Sequence, residues 1–329
     1  MVDTSILLKA FRLMCQVQKM AQTYEANRNI CKYVHSTSRG HEAIQLATAF
    51  QLQPQDFVSP YYRDESLVLG LGFGPYVQML QLLAKKDDVF TGGREYYSHP
   101  NYKGDSKPRI IHQSSATGMQ VIPTTGIAQG IQYWENVDPS KLKKGKDGEK
   151  PIVICSLGDA SVTEGEVSEA WQFAVLKQLP IIYLVQDNNW GISATAGETR
   201  AMNAYEFAVG FKGMNRTQVD GTDFEASYET MKEVSEFVRR ERKPFLVHAS
   251  VPLLGHHTSG VRKDFYRSEN DWALHLEQDP FPKLKIKLLE RGIGSGELDR
   301  IEQEAYRLVA EDFSKAVSAA EPDPAHVGD

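Results

Sequence analysis

Two short apolar runs with a helical pattern between them constrain the fold of this chain more than any other feature. Residues 151–157 (PIVICSL) and 179–185 (LPIIYLV) are rich in β-branched residues, as is typical of strands buried on both faces of a sheet. The segment between them carries apolar residues at the spacing of an amphipathic helix: Val167, Ala170, Trp171, Ala174 and Val175. Together these elements predict a βαβ unit with a right-handed crossover.

The same alternation extends over the rest of the chain. Apolar periodicity predicts further helices over residues 5–32, 41–52, 204–211 and 224–240, a third buried strand over 244–250, and C-terminal helices over 282–289 and 297–320. Residues 90–107, rich in Gly, Tyr, Ser and Asn, are expected to form a long loop. The pattern predicts an α/β fold with a doubly wound, mostly parallel sheet and helices on both faces.

Four segments are expected along the chain. They are an N-terminal helical arm (1–35), the α/β domain (36–280), the C-terminal helices (281–320) and an acidic tail (321–329). The tail is rich in Pro and acidic residues, a composition typical of an interdomain linker. A fusion to a second, β-type domain and a natural subunit with a loose tail therefore both stay open.

Composition excludes several classes of protein. Of the 329 residues, 41% are apolar and 24% are charged, which is typical of a globular protein and not of a disordered one. The net charge of −6 does not favour a nucleic-acid binder, and no apolar run approaches the roughly 18–20 residues that cross a membrane. Three scattered cysteines and the lack of a secretory pattern predict a cytoplasmic location.

Polar side chains follow the first two predicted strands. Asp159 comes after the first strand and Asn188 after the second, so a right-handed crossover brings both to one edge of the sheet, where α/β folds bind ligands. Carboxylate and amide oxygens suit Mg²⁺, which keeps phosphates as further ligands. Thr163 and Glu166 have capping-box spacing, which predicts a phosphate-attracting helix start there. The alternative is that Asp159 caps the helix and Asn188 turns the chain.

At this edge the sequence resembles a known cofactor motif. Gly158-Asp159, followed about 26 residues later by Asp187-Asn188-Asn189, is similar to the thiamine diphosphate motif. Other matching segments follow in order: 39–43 (RGHEA), 60–64 (PYYRD), 114–126, 190–193 (WGIS), 219–223 (VDGTD) and 255–258 (GHHT). Over residues 35–315 the chain resembles the α subunit of the 2-oxo acid dehydrogenase E1 components. The GHH spelling is closer to the branched-chain enzymes than to pyruvate dehydrogenase.

The resemblance implies thiamine diphosphate and Mg²⁺ as cofactors. It assigns the metal to the carboxylate of Asp159, the side chain of Asn188 and the backbone carbonyl of Trp190. It places other residues against the organic cofactor: Tyr62, Arg63, Gly158 and the backbone amides of Ala160 and Ser161 at the diphosphate, Ser115 at the aminopyrimidine, and Thr117 under the bent cofactor. His257 matches the active-site loop histidine, which would contact the cofactor and act in catalysis. Its flanking glycines predict a mobile surface loop.

The resemblance also implies a reaction and partners. Family members decarboxylate a small 2-oxo acid and transfer the acyl group to lipoyl-E2. The glutamate that contacts the pyrimidine comes from a β subunit or domain, so an α2β2-type assembly or dimer is expected. The alternatives are an acetoin dehydrogenase or transketolase-like thiamine enzyme subunit, and a non-catalytic scaffold of the same fold.

Several positions depart from the family pattern. Ala160 replaces the last glycine of the GDG motif, and Gln186 replaces a phosphate-binding arginine, so one cation is absent. Thr117 stands where Leu, Ile or Val is common. Ala116 and Met119 stand where a potassium-binding turn usually has Pro and Thr. These departures weaken the substrate assignment more than the cofactor assignment.

Two further groups of residues are candidates for a functional role. His256 and His257 are adjacent, and neighbouring side chains point apart, so a catalytic loop is favoured over a metal pair. The loop residues Tyr96, Tyr97, His99 and Tyr102 are candidates to contact substrate; a disordered loop is the alternative.

Overall fold

The computed structural model describes residues 1–111, 114 and 116–326. Ser115, which the resemblance places at the aminopyrimidine, lies outside the described residues. No helix within the described part of the chain is long and apolar enough to span a bilayer.

A six-stranded parallel sheet forms the centre of the fold, in the order β2-β1-β3-β4-β8-β7. Its strands are β1 (Phe57–Ser59), β2 (Arg109–Ile110), β3 (Val153–Gly158), β4 (Ile181–Asp187), β7 (Asn215–Asp220) and β8 (Phe245–Ser250). A separate antiparallel pair consists of β5 (Trp190–Gly191) and β6 (Ala194–Thr195). The predicted buried strands correspond to β3, β4 and β8, and the predicted α/β fold class is confirmed.

Twelve α-helices surround the sheet in the described residues. They are α1 (Thr4–Ala26), α2 (Glu42–Ala49), α3 (Glu65–Gly70), α4 (Pro75–Leu82), α5 (Val121–Val137), α6 (Gly165–Lys177), α7 (Ala196–Thr199), α8 (Ala204–Phe207), α9 (Phe224–Glu241), α10 (Glu269–Leu276), α11 (Pro280–Glu290) and α12 (Ser295–Ser318). Residues 90–107 form a long loop without helix or strand, as predicted.

Each face of the sheet has its own apolar core, because side chains alternate along a strand. Cys155 and Leu157 of β3 pack on the face that α5, α6 and α8 cover, around the fully buried Trp171. Ile154 of the same strand packs on the opposite face against α2, α3 and α9. The sheet is therefore doubly wound, with its central strands buried on both sides.

The N-terminal helix packs against the C-terminal pair. Leu7 and Phe11 of α1 lie in one cluster with Leu284 of α11 and Ile301 of α12. This layer covers the outer side of α2, which carries residues of the RGHEA segment.

The predicted capping box at the start of α6 is wrong. A 3₁₀ turn, Ala160–Thr163, follows Asp159, and α6 begins at Gly165 with Glu164 as its N-cap. The Thr163 hydroxyl donates to the carbonyl of Ala160 at 2.9 Å. The backbone that follows Asp159 is therefore a tight turn, and not the first turn of a long helix.

Candidate active site

The carboxyl edge of β3 and β4 forms the floor of a cavity of about 510 Å³. The register pairs Gly158 with Gln186, so Asp159 and Asp187 follow side by side at this edge. Every predicted site residue within the described part of the chain lines this cavity: Tyr62, Arg63, Thr117, Gly158, Asp159, Ala160, Ser161, Asn188, Trp190 and His257. The fold thus brings together residues from five separate stretches of sequence.

The carboxylate side of this edge carries a buried cluster of charges. Asp159 is 4% exposed, and its Oδ2 lies 2.6 Å from Nη1 of Arg200. Arg200 also donates from Nη2 to Oδ1 of Asp187 at 2.8 Å, and His248 Nε2 lies 3.0 Å from the other oxygen of Asp187. Burial and the neighbouring Asp187 raise the pKa of Asp159, although Arg200 opposes the shift. Burial acts in the same direction on Asp187, but His248 and Arg200 outweigh it and lower its pKa.

This cluster is incompletely bonded. Oδ2 of Asp159 and Nη1 of Arg200 are both buried, and among the described residues neither has a hydrogen bond of acceptable geometry, although the two atoms form an ion pair at 2.6 Å. A buried carboxylate oxygen without a hydrogen bond is costly. Such an atom is suited to a cation that can approach it from the cavity.

The amide side of the same edge is fully bonded. Asn188 accepts the backbone N–H of Trp190 on Oδ1 at 3.0 Å, and its Nδ2 lies 3.2 Å from His41 Nε2. His41 Nδ1 lies 2.9 Å from Oε1 of Gln186. Gln186 has no solvent exposure, and its amide donates to Asp64 and Ser156 at 2.7 and 2.9 Å. Burial lowers the pKa of His41 to about 3, so its imidazole is neutral.

Two departures from the family pattern have a structural counterpart. A Cβ atom at position 191 would lie only 3.0 Å from the Cβ of Ala160. The glycine at 191 therefore leaves space for the alanine at 160. Gln186 is turned into the protein interior, and the buried cation of this edge comes instead from Arg200. Sequence reasoning missed Arg200, because nothing in its local pattern marks it.

Arg63 and His257 line another part of the same cavity. The Arg63 guanidinium is 1% exposed and donates from Nη2 to the carbonyl of His257 at 3.1 Å, while its buried Nε has no hydrogen-bond partner in the part of the chain that the structure describes. The hydroxyl of Tyr62 lies 3.5 Å from Nε2 of His257. Burial and the charge of Arg63 lower the pKa of His257 to about 3, so this imidazole is also neutral.

The loop that carries His257 lies less open than its glycines predict. The side chain of His257 is only 8% exposed, and its carbonyl also accepts a hydrogen bond from the Ser36 hydroxyl at 2.7 Å. The expectation of a histidine on an exposed surface loop is therefore wrong. The reason is that Arg63 and Ser36 hold the loop backbone against the cavity.

The two adjacent histidines face different cavities, as predicted. His257 lines the 510 Å³ cavity, whereas His256 lines a neighbouring cavity of about 390 Å³ and accepts the backbone N–H of Lys263 on Nδ1 at 3.1 Å. Within the described residues no group of three or more His, Cys, Asp or Glu side chains could hold a metal ion. Because the two side chains face different cavities, the catalytic-loop interpretation stays favoured over a histidine metal pair.

The tyrosine-rich loop packs against the cavity, and its aromatic residues divide by position. Tyr96, Tyr97 and His99 line the cavity. Tyr102 instead packs on Phe73, with ring centroids 4.9 Å apart. The first three remain candidates to contact substrate, and Tyr102 is a core residue.

Comparison with known proteins identifies the family to which this chain is similar. The family described as "Dehydrogenase E1 component" matches residues 12–325. The 2-oxoisovalerate dehydrogenase subunit alpha of Bacillus subtilis is 30% identical over 289 residues, covering 87% of this chain and 81% of the relative. The pyruvate dehydrogenase E1 component subunit alpha of Acholeplasma laidlawii is 28% identical over 301 residues, covering 86% and 75%. The 3-methyl-2-oxobutanoate dehydrogenase subunit alpha of Mycobacterium tuberculosis is 27% identical over 267 residues, covering 81% and 65%.

Proposed function

The chain belongs to the dehydrogenase E1 component family, and from this premise we propose how its residues divide the work of the site. It is an α subunit of a thiamine diphosphate-dependent 2-oxo acid dehydrogenase E1 component. One observation supports the residue assignments above all. At the adjoining ends of β3 and β4, a carboxylate whose Oδ2 has an ion pair but no hydrogen bond and an amide held by Trp190 N–H and His41 both line the cavity.

Asp159, Asn188 and the carbonyl of Trp190 would hold Mg²⁺. All three offer oxygen atoms, the ligand type that Mg²⁺ prefers, and few protein ligands suffice because phosphates complete its coordination. Oδ2 of Asp159 is buried and lacks a hydrogen bond, and Oδ1 of Asn188 uses one lone pair on Trp190 N–H. A metal there would replace Arg200 as the counter-charge of Asp159.

Tyr62, Arg63 and His257, together with the turn after Asp159, would bind the diphosphate. Arg63 offers a fork of donors, the geometry that phosphate oxygens match best, and its buried Nε is without a partner. Tyr62 lies 3.5 Å from His257. Ala160 and Ser161, in the tight turn after Asp159, also line the cavity, and their backbone amides would donate to the same phosphate oxygens. Gly158 lines the same cavity and would lie beside the diphosphate.

Further contacts to the organic part of the cofactor rest on the resemblance. Thr117 lines the cavity and would support the bent cofactor. Ser115 would lie against the aminopyrimidine.

Thiamine diphosphate, when bound, supplies the carbanion chemistry of 2-oxo acid decarboxylation. The residues of this chain would bind and orient the cofactor and exclude water from it. Neutral His257 can accept a proton on one ring nitrogen or donate from the other, and a nearby diphosphate would raise its pKa from the value of about 3 that burial and Arg63 impose. It would therefore serve as a proton-transfer and hydrogen-bonding group beside the reacting centre.

A β-type partner would complete the site. Large apolar side chains on α5 are exposed, namely Ile122, Tyr133, Trp134 and Val137, at 38–59%. A row of exposed apolar residues on one helix is typical of a surface that another subunit covers. We expect the partner to supply the pyrimidine-contacting glutamate within an α2β2-type assembly or dimer, and lipoyl-E2 to accept the acyl group.

The substrate is a 2-oxo acid whose side chain is set by the completed pocket. Similar relatives include subunits of 2-oxoisovalerate and of pyruvate dehydrogenases, at 30% and 28% identity. The GHH segment favours a branched-chain 2-oxo acid, and the names of these relatives favour a dehydrogenase over an acetoin or transketolase-like enzyme.

Isothermal titration of the chain with its β partner, with thiamine diphosphate in the presence and absence of Mg²⁺, tests this proposal. Metal-dependent binding, followed by turnover on a panel of pyruvate, 2-oxoisovalerate and 2-oxoglutarate with a lipoyl acceptor, would support it. Binding that ignores Mg²⁺, or no binding, would contradict it.

A further inference from the structure

We propose that His41 is a positioning residue that holds the Asn188 amide with its oxygen toward the metal edge. Gln45 and Gln186 fix His41 in the tautomer that this role requires. The inference deepens the proposed function and rests on the assignment of Asn188 to the metal. It follows from hydrogen bonds of described residues, traced inward from backbone groups whose donor or acceptor role is beyond choice.

The trace begins at Gln45 on α2. Its Oε1 accepts the backbone N–H of Ser66 at 3.2 Å, and its Nε2 donates to the backbone carbonyl of Arg63 at 3.1 Å. An N–H can only donate and a carbonyl can only accept. These two backbone groups therefore fix which end of the Gln45 amide is the donor, a choice that is otherwise open for Asn and Gln.

Gln186 is fixed in turn by Gln45. The Nε2 group of Gln45 also lies 2.8 Å from Gln186 and needs an acceptor there, which is Oε1 of Gln186. The opposite end of Gln186 donates to the Asp64 carboxylate at 2.7 Å and to the Ser156 hydroxyl at 2.9 Å. Both ends of this buried amide agree, so its orientation has no freedom.

His41 receives its tautomer from Gln186. Its Nδ1 lies 2.9 Å from Oε1 of Gln186, an oxygen that can only accept, so Nδ1 carries the proton. The Tyr61 hydroxyl, 3.5 Å from Nδ1, is at the limit of hydrogen bonding and does not compete. Nε2 is then left as a lone pair.

The hydrogen bonds of Asn188, at the other end of this series, independently indicate the same His41 tautomer. The backbone N–H of Trp190 donates to Oδ1 of Asn188 at 3.0 Å, so the group of Asn188 that lies 3.2 Å from His41 Nε2 is the amide nitrogen. A donor there needs the lone pair that the other trace assigned to Nε2. His41 therefore anchors the nitrogen of Asn188 and leaves a lone pair of Oδ1 for a cation.

The substitution at position 186 gains a meaning from this arrangement. Gln186 has no solvent exposure and uses both ends of its amide within the protein, so it does not reach the cavity. An amide can present an acceptor to His41 and a donor to Asp64 at once, which a guanidinium cannot, because it has only donors. Gln186 thus sets the geometry of the metal ligand instead of binding phosphate.

The first experiment measures metal dependence. The chain is assembled with its β partner, and thiamine diphosphate binding is followed by calorimetry over a series of Mg²⁺ concentrations. In His41→Leu we expect the apparent Mg²⁺ dissociation constant to rise by roughly 10–100-fold, the usual effect of losing a residue that orients a metal ligand. His41→Gln, which can again offer one donor and one acceptor, is expected to stay within about threefold of wild type.

Tyr183→Phe is the matched control. It removes a buried hydroxyl that lies 2.7 Å from the Thr125 hydroxyl, in the core on the other face of the sheet, and has no link to Asn188. It should lower the melting temperature without changing the Mg²⁺ dependence. If His41→Leu kept the wild-type Mg²⁺ dependence, or if His41→Gln failed as badly as His41→Leu, the positioning role would be refuted.

The second experiment needs neither metal nor cofactor. Two-bond ¹H–¹⁵N spectra of the chain labelled at histidine report which ring nitrogen is protonated, and the His41 signal is the one that His41→Gln removes. We expect the Nδ1-protonated pattern; the Nε2-protonated pattern would overturn the inference even if His41→Leu does not fold. If wild type shows the expected tautomer but does not bind thiamine diphosphate with Mg²⁺, the proposed function fails and the hydrogen-bond relay stands.

Discussion

The two sides of the β3–β4 edge differ in how completely their polar groups are hydrogen-bonded. The amide side surrounds Asn188, and the carboxylate side surrounds Asp159. On the amide side, each end of the Gln45 and Gln186 amides meets a partner at 2.7–3.2 Å. On the carboxylate side, Asp159 and Asp187 share Arg200, and Oδ2 of Asp159 is left without a hydrogen bond. Both sides are buried to a similar degree, since Asp159 and Asn188 are each 4% exposed.

This difference indicates that the amide side is preorganised, whereas the carboxylate side is suited to bind a cation. A fully bonded amide network keeps one geometry with or without ligand, because any rotation would leave a buried donor or acceptor unpaired. A buried pair of carboxylates with one shared cation has unmet electrostatic demand, and a divalent ion can satisfy it. We therefore expect the amide side to stay fixed on cofactor binding and the carboxylate side to rearrange.

The largest effect is expected from Asp159→Asn. The substitution removes the carboxylate that would carry most of the protein's charge on the metal, so Mg²⁺-dependent binding of thiamine diphosphate should weaken by more than the roughly 100-fold upper range for an orienting residue. The overall fold should persist, because the position lies at the end of a strand. Calorimetry with the β partner and circular dichroism measure the two quantities.

Asp187→Asn is the control for that experiment. Asp187 contacts Arg200 and His248 but is not assigned to the metal, so its loss should cost about tenfold in binding at most. If Asp159→Asn bound thiamine diphosphate as tightly as wild type, the metal assignment would be wrong.

The next effect concerns the shared cation. In Arg200→Met the buried Asp159 and the partly buried Asp187 lose the arginine that pairs with both of them, and breaking a buried ion pair in this way typically costs about 3–5 kcal/mol. Urea unfolding of the cofactor-free protein should show this loss, and saturating Mg²⁺ with thiamine diphosphate should recover part of it. The matched substitution Arg12→Met removes an exposed ion pair with Glu304 and should cost less than about 1 kcal/mol. Equal losses in the two variants would contradict the contrast between the sites.

A third prediction concerns pH and extends the comparison to the buried carboxyl behind the cavity. Burial raises the pKa of Glu65 to about 7, although the Tyr97 hydroxyl, 2.7 Å away, opposes the shift. Since its ordinary value is 4.5, the folded state binds the proton more tightly, and this contribution to stability is lost as pH rises from 4.5 to 7. Relative to Glu65→Gln, wild type should lose about 3 kcal/mol over that range.

Urea unfolding of both proteins at pH 4.5, 6 and 8 measures this difference. The comparison uses the slope with pH, so any constant cost of the substitution cancels. Parallel pH profiles for wild type and Glu65→Gln would show that the buried carboxyl titrates normally.

The smallest effects are expected from substitutions at His257 and His256. His257→Ala should lower acyl transfer to the lipoyl acceptor by roughly 10²-fold, the usual size of a lost acid–base contribution. Because the side chain is buried, it should also lower stability by about 1 kcal/mol. His256→Ala, whose side chain faces the neighbouring cavity, should change acyl transfer much less. Equal losses of acyl transfer in the two variants would contradict the assignment of His257 to the site.

The elements that the sequence predicted well are those with a strong local pattern. β3, β4 and β8 carry continuous apolar runs because both their faces are buried, and α9 has the amphipathic repeat of a helix on one face of the sheet. The edge strand β7 was missed because its residues are only partly buried. β1 and β2 are three and two residues long, too short for any periodicity to appear. The capping box was wrong because a 3₁₀ turn displaced the start of α6 by residues that local spacing does not reveal.

Fold class, family and the strand ends that meet at the cavity could be predicted from the sequence alone, because strand burial and motif order are visible in residues that are neighbours along the chain. How the side chains at those ends are bonded depends on the tertiary structure. Arg200 meets Asp159, and His41 meets both Gln186 and Asn188, across gaps of 41, 145 and 147 residues. Hydrogen-bond direction and charge pairing depend on distances of about 3 Å between groups that chain folding alone brings together. Local sequence carries no record of such distances.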